Sequence, residues 1–138
     1  MMQQLFSRSF DELENIVQMT HQVCAQVALP KAKQYVVDLA TEELFVNMVN
    51  YNTETTEQIK ISIAPKQGGV EVSLTDYDVE RFDPVTAPVV DLNAGINERT
   101  PGGLGVYLVL KMVDSITYEY RNRQSKITFS VGGNTNDV

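Results

Sequence analysis

TPGGLGVYLVLKMVD, at residues 100–114, decides how this chain is read. Gly102, Gly103 and Gly105 stand directly ahead of an apolar run, Val106, Leu108, Val109, Leu110, Met112 and Val113, whose spacing predicts a helix ending near Ser115. A glycine loop that opens a helix aims backbone N–H groups and the positive end of the helix dipole at one point, which suits an anion. The loop has no Gly-Lys-Ser/Thr, so it is not a phosphate loop of that kind. It also comes too late in the chain, after the wrong order of strands and helices, for a dinucleotide-binding fingerprint.

Upstream, Glu43 and Asn47 are four residues apart and share one helical face, which Asn50 and Tyr51 continue. A carboxylate and an amide so placed can bind a hydrated Mg²⁺, which takes oxygen ligands and keeps several waters when it bridges phosphates. A carboxylate beside that ion can accept a proton from an attacking hydroxyl or water. Together with the glycine loop, this pair points to a nucleotide phosphate.

The remaining pattern is that of a small α/β domain. Residues 3–6 read as a short first strand. Ser9 and Glu12 form a capping box ahead of Phe10, Leu13, Ile16, Val17, Thr20, Val23, Cys24 and Val27, which follow helical spacing. Leu29-Pro30 breaks this helix, and Pro30 starts a second, over 31–51, with Val36, Leu39, Ala40, Leu44 and Val46 as apolar positions. Ile59, Ile61 and Ile63, the turn chemistry of 65–69, and then Val70, Val72 and Leu74 predict a hairpin. Residues 76–101 hold Pro84, Pro88 and Pro101 with little periodicity and read as a long functional loop. Residues 116–120 and 126–131 form a closing hairpin, and 132–138 a frayed tail. The expected architecture is a two-layer α/β (α+β) sandwich, with three helices over a mixed, mostly antiparallel sheet.

Composition narrows the function. The 138 residues suit one domain, and 43% hydrophobic content supports a core. A net charge of −7 argues against general nucleic-acid binding. The single cysteine, Cys24, excludes an internal disulfide and follows the apolar spacing of its helix. No apolar run reaches spanning length and the first residues lack signal-peptide zones, so a cytoplasmic protein without a membrane segment is expected. His21, the only histidine, reads as a surface residue of an amphipathic helix.

Taken in order, these motifs resemble the GHKL ATPase superfamily, and within it the anti-sigma-factor serine protein kinases of the RsbW and SpoIIAB type. LATEELFVNMVNY (39–51) is similar to the family's N-box, and RFDP (81–84) and PGGLGVYLVLKMVD (101–114) are similar to its post-G1 and G2 segments. The resemblance covers about residues 9–131 of a single histidine-kinase-like ATPase domain, 1–138. It implies the Bergerat ATP-binding fold, with ATP and Mg²⁺ as cofactors. It makes Glu43 the general base, Asn47 the Mg²⁺ ligand and Asn50 a neighbour in the nucleotide site. Gly102, Gly103, Leu104 and Gly105 would form the phosphate-side lid, and Thr128 would help hold adenine.

The family's G1 box is Asp-x-Gly, whose aspartate reads the adenine amino group. Residues 75–82 here are TDYDVERF, without a glycine. Counted back from Phe82, Tyr77 takes the aspartate's place and Val79 the glycine's, which narrows backbone freedom and room. A one-residue shift brings in Asp78. Strand parity with Val70, Val72 and Leu74 brings in Asp76. The implied activity is phosphorylation of a serine on a STAS-type anti-anti-sigma partner, alternating with sequestration of a sigma factor, by a homodimer. The alternative is a degenerate partner-switching module without kinase activity. A histidine-kinase catalytic domain fits less well, since no dimerisation helix pair with a phosphoacceptor histidine precedes the motifs.

Overall fold

The computed structural model describes residues 1–81 and 109–132. Phe82-Asp83-Pro84, the glycine loop with Gly102, Gly103, Leu104 and Gly105, and the tail from 133 lie outside the described residues.

Five strands form one sheet: β1 (Met2–Phe6), β2 (Ile59–Lys66), β3 (Gly69–Tyr77), β4 (Ser115–Arg121) and β5 (Gln124–Val131). Their order is β1-β2-β3-β5-β4, and every pairing is antiparallel. Two helices, α1 (Leu13–Gln26) and α2 (Lys31–Tyr51), separate β1 from β2. The end of a third helix is described at 109–112, where the Val113 N–H reaches the Val109 carbonyl at 3.2 Å.

Alternation fixes which face of the sheet is covered. Ile61 pairs with Leu74, Val72 with Phe129, and Val70 with Val131, and each of these side chains is at most 1% exposed. Residues between them, such as Ser62, Ser73 and Thr128, take the opposite face. Burying one such aliphatic or aromatic side chain contributes about 1.5–3 kcal/mol, which holds the register against a one-residue slip. Both long hairpins close on two residues with positive φ, Gln67-Gly68 (51° and 84°) and Asn122-Arg123 (52° and 61°), the left-handed pair that matches strand twist.

The first helix begins differently from its expected capping box. Ser9 Oγ does accept the Asp11 N–H, at 3.1 Å, but it caps a 3-10 turn at Phe10–Glu12. Glu12 turns away and takes the Ser7 N–H at 2.8 Å and the Ser7 hydroxyl at 3.2 Å. Phe10 is therefore exposed, not core. At its other end α1 closes with Ala28 left-handed (φ 52°), the Leu29 N–H on Cys24 O at 3.0 Å and the Ala28 N–H on Ala25 O at 3.1 Å. This is a Schellman motif with alanine in the usual glycine place, and buried Leu29 supplies its apolar contact.

On α2 the buried stripe is Val37, Ala40, Thr41, Leu44, Phe45, Asn47 and Met48. Val36, Leu39 and Val46, expected as apolar positions, are only partly buried, because the stripe that packs on the sheet runs through Val37, Phe45 and Met48. No helix among the described residues is long and apolar enough to cross a membrane.

Candidate functional site

Glu43 and Asn47 sit one turn apart on α2. Glu43 is half-buried, and burial, followed by the neighbouring charge of Glu42, raises its carboxyl above the ordinary range. Among the described residues no cation pairs with it. Asn47 is 5% exposed. A buried amide one turn from a carboxylate whose proton affinity is raised fits a hydrated Mg²⁺ and a phosphate. Asn47 is the residue that would hold the metal. Asn50, by contrast, is exposed near the helix end, so the expected face continues only as far as Asn47 in buried form.

The end of β3 resolves the degenerate G1 segment. Asp76 continues the face of Val72 and Leu74 and is fully buried. Tyr77 points to the other face by parity. Asp78 is exposed, left-handed (φ 56°), and 2.9 Å from Arg123 Nε. Asp78 thus takes a left-handed backbone of the kind glycine supplies, as aspartate does more readily than most residues. Val79 is pinned by its N–H to Arg123 O at 3.0 Å and by the Tyr120 hydroxyl on its carbonyl at 2.8 Å.

Asp76 is already engaged within the chain. Arg8 donates to it twice, Nη1 to Oδ1 at 2.6 Å and Nη2 to Oδ2 at 3.2 Å. Asn52, which caps α2, donates its side-chain amide to Oδ2 at 2.5 Å. Arg8 also donates to Met48 O at 2.9 Å and Glu57 O at 3.2 Å. A cation on a terminal carbonyl of α2 complements the negative end of its dipole. Thr128 does not join this group. It lies on the far face of the sheet, with its hydroxyl 3.0 Å from that of Ser73. The residue opposite Asp76 in the ladder is Ser125, 3% exposed.

Arg8, Asn52 and Ser125 were not singled out from the sequence. Ser125 was legible: it continues the alternation of Ile127, Phe129 and Val131. Asn52, directly after the helix, was legible as a cap. Nothing local marks Arg8, a lone basic residue between two serines. A cleft beside Asn52 is lined in part by Thr55, Glu54, Asp78 and Glu80. Its acidic rim disfavours a phosphate there. His21, on the exposed side of α1, lies 2.9 Å from Asp38.

No curated protein gives a significant match. Among solved structures, the RsbU and RsbW domains of Rv1364c from Mycobacterium tuberculosis match over 95% of this chain and 32% of theirs, at 12% identity and a TM-score of 0.65. The histidine kinase AdeS of Acinetobacter baumannii matches over 98% of this chain and 69% of its own, at 15% identity and a TM-score of 0.54. The chain thus spans about a third of the length of the first of these, and at such identities the likeness is one of fold. The family model of the histidine kinase-like ATPase domain matches residues 6–131, taking in β1, both helices and the whole sheet. An ATPase family implies ATP as the ligand of the domain. With the five-stranded antiparallel sheet, the helices over one face and the Glu43–Asn47 pair on α2, that match shows that the chain belongs to the GHKL, histidine kinase-like ATPase domain family.

Proposed function

We propose that this chain is an ATP-dependent serine/threonine protein kinase and anti-sigma factor of the RsbW type. The observation that carries this reading is the placement on α2, one turn apart, of half-buried Glu43, its carboxyl raised by burial, and buried Asn47. Glu43 would take the proton of the attacking serine hydroxyl, and Asn47 would ligate Mg²⁺ on the phosphates. Bound ATP would supply the phosphoryl group. Gly102, Gly103, Leu104 and Gly105 would close over the phosphates, and Asp76, in the Asp-x-Gly place, would be the carboxylate that faces the base. The partners would be a STAS-domain anti-anti-sigma protein as substrate and a sigma factor as the sequestered target, met by a cytoplasmic homodimer. The RsbW domain among the similar folds, with a TM-score of 0.65 against 0.54 for the histidine kinase, supports this choice.

A second reading, a partner-switching module without phosphoryl transfer, is favoured by one observation: Asp76 is bound by Arg8 and Asn52. Incubation with labelled ATP and a STAS-domain protein separates the two. Transfer to a serine that falls about 100-fold or more in Glu43→Ala, with Mg-ATP binding retained, supports the kinase. ATP binding without transfer in the wild-type chain supports the switching module.

A further inference from the structure

The corner that carries Arg8 is built, not loose. Phe6, ending β1, is fully buried, and two residues later Arg8 sits between Ser7, whose N–H and hydroxyl are held by Glu12, and Ser9, which caps the 3-10 turn. The Ser9 N–H closes the corner on Ser7 O at 2.8 Å. The guanidinium is therefore delivered to Asp76 by a fixed stretch of backbone, and it is itself only 10% exposed.

A carboxylate has about four acceptor positions, and here Arg8 and Asn52 fill three of them. Arg8 in turn places its remaining terminal donors on Met48 O and Glu57 O. A base approaching Asp76 must displace a hydrogen-bonded cation from a buried anion, and breaking such a pair strands a charge away from water. We infer that Arg8 is the specificity-determining residue of the nucleotide site: it occupies Asp76 as an internal donor, so nucleotide affinity comes from the phosphate side of α2 and discriminates weakly between bases. This rests on the reading that places Asp76 at the base and Asn47 at the phosphates. Asp78, exposed and paired with Arg123, offers no substitute carboxylate in the buried position.

Calorimetric titration of Mg-ATP, Mg-GTP and Mg-tripolyphosphate into the full chain and into Arg8→Met tests this. The wild-type chain is expected to bind ATP and GTP within about fivefold of one another, where a site built to read a base discriminates far more strongly. Arg8→Met is expected to tighten ATP by about tenfold and to leave GTP and tripolyphosphate unchanged. A wild-type preference for ATP above about fivefold, or no gain in Arg8→Met, overturns the inference while leaving the nucleotide site standing. Absence of binding of all three by both folded proteins overturns the nucleotide reading together with it. If Arg8→Met does not fold, the wild-type ratio and hydrogen exchange at Ser7 and Ser9 decide. A rise in their exchange on saturation with ATP, showing Arg8 displaced by the base, overturns the inference as well.

Discussion

Arg8 and Asp76 are 68 positions apart in the chain and meet as a two-pronged ion pair, 2.6 Å at its shorter contact, with the carboxylate fully buried. The pair ties the corner after β1 to the end of β3. Through Met48 O it also reaches the end of α2. Removing one partner leaves the other's charge in a poorly solvated place, so Arg8→Met or Asp76→Leu alone should cost about 3–5 kcal/mol. The double variant should cost less than the sum of the two, the deficit being their coupling. Urea denaturation of the four proteins measures this. A domain of this size has roughly 7–20 kcal/mol to lose, so the single variants should stay folded. Additive losses would show that the two side chains do not interact.

Asp78 holds a left-handed backbone with an exposed ion pair to Arg123 as its side-chain contact. Such exposed pairs contribute little, and glycine relieves about 1 kcal/mol of left-handed strain. Asp78→Gly should therefore leave stability unchanged or raise it by up to about 1 kcal/mol. A loss of more than that by thermal or urea denaturation would contradict left-handed strain at Asp78 that glycine relieves.

Burial raises the Glu43 carboxyl above its ordinary 4.5, so the folded state holds its proton more tightly than the unfolded chain does. Its ionised form therefore lowers stability, and the penalty is absent at acid pH and grows as pH rises from 4.5 through the raised value. Glu43→Gln should match the wild type in melting temperature well below that window and exceed it at neutral pH. Because the side chain is only half-buried, the gain should be about 1 kcal/mol at most. A pH-independent difference would show that Glu43 is not desolvated.

Cys24 is buried on α1, and burial pushes its thiol up to about 11. Thiolate is the reactive form, so alkylation at neutral pH should be negligible in the folded chain and rapid in urea. Labelling at equal rates with and without denaturant would contradict the packing of α1 on the sheet.

Much of this architecture was written in local pattern. Ile59, Ile61 and Ile63 against Val70, Val72 and Leu74 gave the central hairpin and its buried face, because alternation and burial share one period. The same rule put Asp76 on the buried face, and it puts Ser125 there and Thr128 on the other. On α2, whose apolar residues lie nearly all round, composition could not say which stripe meets the sheet, and Val37, Phe45 and Met48 emerged only with the packing. Ser9 capped as expected, but Glu12 answered to Ser7, a competition between two nearby donors that spacing does not decide. Arg8 stayed hidden because its meaning depends on a partner 68 positions away, brought near by the pairing of β1 with β2 and of β2 with β3.

Titration of Mg-ATP into the wild-type chain and Asn47→Ala, by calorimetry with and without Mg²⁺, tests the central claim most directly. An ATP site built on α2 predicts Mg²⁺-dependent binding that Asn47→Ala weakens by about tenfold or more. No heat and no thermal stabilisation at millimolar ATP, or binding indifferent to both Mg²⁺ and Asn47, would contradict it.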